Sequence, residues 1–521
     1  MRDKMDLFLE TVDEQIACRL CHAEINEELR GHIEDKAEDY RGYGLSEEEA
    51  LGRAIRDMGE PDVIGMELNR QHRIRTPWPL LGIIGLLLVI ELGELVAFGG
   101  SWNSLSDLAY SLSDGTCYIW GLGLLLMMMY QGYPFLLKHA GAVVKTIGIF
   151  CGVLAAGGFC QRLLAGYGSE NMTLYRLYSS GFQVLILGLG VPVSAVWLYR
   201  RRAGGCRAIA LLTLAQAFYL AALRLSRGFR PGGSWIPVLC LLLTCLGIEL
   251  YMAVKGWFGG SAGKAIAAAI LGFAVLLTLW AAPGSQAREL WNRCIHPEAY
   301  AANSTAWDDS YNNMLIRELL SRAENFGEVQ LSREELLNYG TGEWYYGKNG
   351  AGHWKDQRIG ETSGEDSPFS SFAAYREYRL QFLEHPTLEE ILPDKYQSNY
   401  RAAWWVLHYG RIPAAALMLL SVILPAALLF LTFRIRNRLG RTIALSGSLL
   451  LTLETVIYLI ENRGYQFSHF SNLPFLAEGW SSITITALAA GMVLSVWRYD
   501  RVVTEKEKNK KKECEIGRAH V

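Results

Sequence analysis

No P-loop, dinucleotide-binding glycine fingerprint or His-Glu-x-x-His pair occurs in the 521 residues. The sequence therefore gives no warrant for an NTPase, a nicotinamide or flavin oxidoreductase, or a zinc metalloprotease. Charge of one sign is also missing. Fifty basic and 52 acidic residues leave a formal net charge of −2, which gives no reason to expect a nucleic-acid partner. Ten cysteines are present, but Cys151, Cys160, Cys240 and Cys245 sit inside apolar runs, where a thiol packs as a small hydrophobe. No secreted disulfide framework follows from them. Cys18-Arg-Leu-Cys21-His22 matches the spacing of covalent haem attachment. The residues before it are charged and amphipathic rather than an apolar export signal, so neither haem nor zinc is expected there.

What the chain does have is apolar length. Half of it is apolar (51%), and its charge is concentrated in short stretches between long runs with almost none. That is the pattern of membrane spans and connecting loops. After Pro77-Trp78-Pro79, ten spans are predicted near 79–98, 117–137, 142–164, 181–199, 207–225, 235–254, 264–282, 412–433, 441–460 and 483–498. Each approaches the length needed to cross a bilayer core. The fold class is all-α, a polytopic bundle over 76–505. Arg200-Arg201-Arg202, Lys255, Lys264, Arg434 through Arg441, Arg498 and Arg501 fall on one side if both termini are cytoplasmic. Arg224, Arg227 and Arg230 lie on the other. Residues 283–410 then form an outer loop of about 130 residues, far beyond ordinary connections. A long loop on a helical scaffold is where function is expected. Its Trp344, Tyr345, Tyr346, Trp354, Trp404 and Trp405 also suit a membrane interface.

In front lies a soluble helical unit over 1–75. Leu7, Val12, Ile16, Leu20, Ile25, Leu29 and Ile33 recur at helical spacing. Gly42 and Gly44 break the pattern, and Ser46-Glu47-Glu48-Glu49 is a capping box ahead of Ala50, Leu51, Ala54, Ile55 and Met58. Gly59-Glu60-Pro61 closes that helix. The runs Glu27–Asp35, Gly44–Ala50 and Ala54–Pro61 resemble the HAAS domain (permease prefix domain 1), found ahead of membrane proteins in Gram-positive bacteria. That resemblance implies a cytoplasmic regulatory role. At the other end, Glu515 to Val521 reads as the translation of a sequencing adapter, so 515–521 is set aside as foreign.

Several segments of the second half carry a further pattern. His296-Pro297-Glu298 is followed by Tyr311 and then by Ile316 to Gly327. Leu392-Pro393-Asp394 precedes Ser398-Asn399-Tyr400, with Tyr409-Gly410 leading into span eight. Leu473-Pro474-Phe475-Leu476-Ala477-Glu478-Gly479-Trp480-Ser481-Ser482 precedes the last span, which closes on Leu494 to Tyr499. In order and spacing these pieces resemble the SEDS (shape, elongation, division and sporulation) family of FtsW, RodA and SpoVE proteins. That family has ten spans with its large outer loop between spans seven and eight. The first six spans are similar in number and layout only.

The resemblance implies peptidoglycan synthesis, cell division or cell-shape control in a bacterial plasma membrane. The family polymerises the lipid-linked precursor lipid II, with a class-B penicillin-binding protein as partner. Glycosyl transfer needs a base near the acceptor hydroxyl and help for a departing pyrophosphate. The family's essential aspartate matches Asn399, and an amide cannot take that proton. Two readings follow: a pseudoenzyme that keeps the fold, or catalysis through a surrogate carboxylate, Asp394 or Glu478. Pro474, Phe475, Gly479, Ser481 and Ser482 match the family's substrate-binding signature. Ala477 and Glu478 depart from it, and Trp480 is expected to fill space that a glycine would leave to the backbone. No metal ligands are implied, and a divalent cation only for a catalytic form. Within the spans, Glu91, Glu94, Glu249 and Glu454 carry a default functional reading. Glu91 and Glu94 share a face, either to pair with Arg224 or to line a polar groove for a pyrophosphate-linked substrate. A membrane sensor using the HAAS-like unit and a transporter of lipid-linked precursors are the alternatives. No internal symmetry favours the transporter.

Overall fold

The computed structural model describes residues 2–71, 74–98, 105–165, 184–227, 235–281, 309–341, 387–393, 396–466, 472–476 and 479–500, with a few isolated positions between them. Among these residues every regular element is a helix. Four helices come first: α1 (Arg2–Gln15), α2 (Arg19–Gly42), α3 (Glu47–Met58) and α4 (Pro61–Gln71). The apolar periodicity from Leu7 to Ile33 does not make one rod, because the chain breaks at Ile16-Ala17-Cys18. The break lets α1 pack on α4 and α2 on α3, burying Val12, Ile16, Ile33 and Ala54. Asn69 accepts from the Ala17 amide at 3.2 Å, and Gln15 donates to Asp62 at 3.0 Å. His22 contacts the Ile16 carbonyl at 3.0 Å, and no group of three or more potential metal ligands occurs among the described residues. The predicted capping box is formed, with Ser46 and Glu49 bonding reciprocally. The Ser46 hydroxyl and amide hold the Glu49 carboxyl below its ordinary range.

The bundle follows: α5 (Trp78–Phe98), α6 (Leu105–Ala165), a π-helical turn Val184–Gly190 running into α7 (Val191–Arg200), α8 (Cys206–Arg227), α9 (Trp235–Val254) and α10 (Ala262–Ala281). Next come α11 (Asp309–Arg322), α12 (Arg333–Thr341), α13 (Leu388–Ile391), α14 (Tyr396–Asn399) and α15 (Arg401–Tyr409). Three long helices close the chain: α16 (Arg411–Phe433), α17 (Arg438–Glu461) and α18 (Trp480–Tyr499). Seven helices among the described residues are long and apolar enough to cross a membrane. The chain is a polytopic helical membrane protein.

One expectation is corrected. The spans predicted over 117–137 and 142–164 are not a hairpin but one continuous 61-residue helix, α6. At 1.5 Å per residue it is about 90 Å long, well beyond a hydrocarbon core of about 30 Å. The break was expected at Lys138 to Gly141, which holds neither a proline nor a capping side chain. Pro134, the residue most able to interrupt the helix, lies inside it.

The last helix sits in the middle of the bundle. From Ile485 to Val496 every side chain of α18 is buried, against α6 on one side and α17 on the other. Glycine permits the close approach. A Cβ on Gly491 would stand 3.0 Å from the Leu125 carbonyl, and one on Gly447 would stand 2.9 Å from that of Ala489. Small residues at such crossings are how helices pack where no hydrophobic force separates protein from lipid.

Candidate functional site

The chain returns from the long loop through α14 and α15, and this segment is clamped to the end of α17. The Tyr458 hydroxyl donates to the Ser398 carbonyl at 2.6 Å and accepts from the Arg401 amide at 3.3 Å. Asn462 donates to the Asn399 carbonyl at 3.0 Å and accepts from the Ala403 amide at 3.1 Å. The Tyr400 hydroxyl donates to Gln466. These bonds satisfy backbone groups of a short, partly buried segment between two small helices. Asn399 is half-buried, and its amide oxygen lies 3.5 Å from the Ser398 hydroxyl.

Beneath this clamp is an ion triad. Arg401, 3% exposed, reaches Glu91 at 2.9 Å with one guanidinium nitrogen and Glu94 with the other. Tyr118 on α6 donates to Glu91, and the Trp405 indole donates to Glu94 at 3.1 Å. Two carboxylates thus share one guanidinium, and Glu91 Oε2 has no hydrogen-bond partner among the described residues. The predicted glutamate pair is therefore engaged, but with Arg401; the side chain of Arg224 lies outside the described residues. Sequence reading missed Arg401, Tyr458 and Asn462. The available signal for Arg401 was a cation in an Ala-Ala-Trp-Trp context beside two span-one glutamates lacking a counter-charge.

The outer loop wraps the same junction. Asn313 on α11 exchanges hydrogen bonds with the Gln466 backbone at 2.9 and 3.1 Å. Arg317 donates to the carbonyls of Gly464 at 2.8 Å and Cys294 at 2.5 Å. The irregular segment after α11 bonds to α15 and the start of α16: the Gly327 amide to the Tyr409 carbonyl at 2.9 Å, the Val329 amide to the Leu407 carbonyl at 2.7 Å, and the Arg411 amide to the Glu324 carbonyl at 2.8 Å. Gly410 (φ 92°) sits where a Cβ would stand 2.6 Å from the Phe326 Cα. Two motifs far apart in sequence, Ile316–Gly327 and Tyr409-Gly410, thus meet in space. A second capping box opens α12. Ser332 holds the Glu335 carboxyl below its ordinary range, and Arg322 reaches it at 2.5 Å. Burial, with Glu318 nearby, lifts Tyr339 to about 12.

The other expected site residues fare differently. Asp394 and Glu478 lie outside the described residues. Pro474 and Phe475 are buried, and Phe475 (φ 60°) is the sole non-glycine with positive φ among the described residues. A bulky residue held there marks local strain. Gly479 is exposed, while Ser481 and Ser482 are half-buried. Ser482 Oγ has no hydrogen-bond partner among the described residues. Trp480 is half exposed at the start of α18. Asn472, just ahead of the signature, and Ser398, just ahead of Asn399, meet the same face of α17 one turn apart. Asn472 donates to Glu454 at 3.2 Å, and Tyr458 holds Ser398.

No family model matches the chain, and no curated protein matches it. A solved structure, titled "Structural coordination of polymerization and crosslinking by a peptidoglycan synthase complex", is similar over 82% of this chain and 99% of that one. The identity is 14% and the TM-score 0.46, a likeness too distant to carry an assignment.

Proposed function

We propose that this chain is a membrane protein of bacterial peptidoglycan synthesis, built on a SEDS-type scaffold, that binds its partners without turning over substrate. The observation that carries the reading is the state of Asn399. The segment that would present a catalytic carboxylate is anchored by Tyr458, Asn462 and the Arg401 triad, yet the residue at its head is an amide. An amide accepts no proton near neutral pH, and moving a base by a few ångströms forfeits most of its effect. The scaffold is then kept for recognition: lipid II or a related lipid-linked precursor as ligand, and a class-B penicillin-binding protein as partner in the plasma membrane.

The deciding experiment is lipid II polymerisation by purified protein in liposomes, with and without a class-B partner, comparing the natural chain with Asn399→Asp. The reading expects no glycan strands from the natural chain and measurable strands from the aspartate variant. Strands from the natural chain would overturn it and direct attention to Asp394 and Glu478.

A membrane-sensor reading is favoured by a different contact. The Arg75 amide donates to the Arg498 carbonyl at 3.4 Å, Arg498 donates to Thr76 at 2.9 Å, and the Arg75 guanidinium lies over the Trp497 ring. The residues that lead out of the N-terminal helices thus touch the end of the most buried span. A displacement of those helices has a direct route into the bundle core.

A further inference from the structure

A cavity of about 300 Å³ opens where α15, α16 and α17 meet, on the side of the long loop. Its walls are apolar: Ala403 and Val406 from α15, Ala415 and Met418 from α16, Leu459 from α17. Two guanidinium groups, Arg411 and Arg463, also line it. Both are exposed, and neither pairs with a carboxylate among the described residues. Arg411 rests one nitrogen on the carbonyls of Leu320 and Ser321, at 3.4 and 3.2 Å, which places its charge but does not neutralise it.

The two arginines sit at the start of one membrane-crossing helix and just past the end of the next. Met418 and Leu459 lie further along those helices, toward the bilayer. A cleft with cations at the membrane surface and an apolar floor running inward fits an amphiphile with an anionic head. Guanidinium groups favour phosphate among such heads, because their forked donors match its oxygens. A free anion would leave the floor empty, and an uncharged lipid would leave both cations uncompensated. We infer that this cleft binds a phospholipid with a net anionic headgroup from the leaflet facing the long loop. The phosphate sits between Arg411 and Arg463, and an acyl chain lies along Met418 and Leu459.

The site also has a consequence for Asn399. Asn462, which ties the Asn399 carbonyl and the Ala403 amide to α17, lines the same cleft. A lipid seated there braces the clamp from the side opposite the Arg401 triad. This inference rests on the cleft and its charges alone and does not depend on the proposed role in peptidoglycan synthesis.

The test uses the full chain in detergent, titrated with phosphatidylglycerol, phosphatidylcholine or inorganic phosphate. Native mass spectrometry counts the lipids retained, and the thermal midpoint reports the bracing. Phosphatidylglycerol should be retained selectively and raise the midpoint, while phosphatidylcholine and inorganic phosphate should not. Arg463→Gln, at an exposed position, should weaken phosphatidylglycerol binding about tenfold, the loss of a charge-assisted contact. Arg463→Lys should recover part of that loss. Ala415→Phe, which fills the cleft from its lipid-facing wall, should abolish the selective retention even with both arginines intact. Equal retention of the two lipids, or undiminished phosphatidylglycerol binding by Ala415→Phe, would overturn the inference. So would an inorganic phosphate effect equal to that of the lipid, which would reduce the site to a surface anion.

Discussion

The hydroxyl of Tyr499 donates to the main-chain carbonyl of Tyr130 at 2.7 Å, four residues ahead of Pro134. That carbonyl is the one whose helical partner Pro134 cannot supply, because proline has no amide hydrogen. In a bilayer an orphaned carbonyl has no water to turn to. The last helix therefore supplies the missing bond, and the long helix α6 runs through its proline without ending.

Removing that hydroxyl should expose the defect. Tyr499→Phe is expected to cost about 1 kcal/mol, the loss of a hydrogen bond to a partly buried acceptor. In a Pro134→Ala background the same change should cost much less, since the helix then satisfies its own carbonyl. Chemical denaturation of the four proteins in detergent, read as a double-mutant cycle, checks this. Equal costs in both backgrounds would show that the tyrosine does not answer the proline.

The Arg401 triad predicts an asymmetry. Arg401→Met leaves Glu91 and Glu94 buried without their cation and should destabilise the protein by about 3–5 kcal/mol. Adding Glu91→Gln and Glu94→Gln should return a large part of that loss, because the stranded charge disappears with the carboxylates. Thermal midpoints of the single and triple variants are the measurement.

Gly410 predicts a steric boundary between the loop and the bundle. Gly410→Ala places a methyl against the Phe326 backbone at a φ of 92°, and should cost about 1–3 kcal/mol. Gly44→Ala, at a similar φ but in open space, serves as the control for backbone strain alone. Limited proteolysis should find the segment after α11 more readily cleaved in the Gly410 variant than in the control.

Glu335 gives a pH dependence of definite sign. Its folded-state pKa is depressed, first by the Ser332 amide, so its contribution is present above the ordinary glutamate range. That contribution is lost as pH falls through the depressed folded value. Glu335→Gln should lower amide-exchange protection in α12 at neutral pH, change it little at acid pH, and so flatten the acid limb. An unchanged acid limb would exclude the capping carboxylate as its source.

The helical bundle was legible in the sequence because burial in lipid demands long apolar stretches, and such stretches are read one residue at a time. The capping box at Ser46 was legible for a similar reason, since its partners are three residues apart. The path of α6 through Pro134 was not, because the carbonyl that the proline leaves unmet is answered by Tyr499, more than 360 residues away. Likewise the glutamates of span one could be marked as needing a cation, but the choice of Arg401 over Arg224 lay beyond any local pattern.

Taken alone, the sequence determined that this chain is an all-helical membrane protein, where its apolar segments lie, and that an amide stands at position 399. Those are properties of composition, periodicity and single residues. The tertiary structure decided which carbonyl is rescued, which cation Glu91 and Glu94 share, and which residues clamp Asn399. Each of these is a pairing of polar groups at buried or partly buried positions, where the cost of an unmet charge or hydrogen bond selects the partner. That selection acts on proximity in space, and spacing along the chain does not encode it.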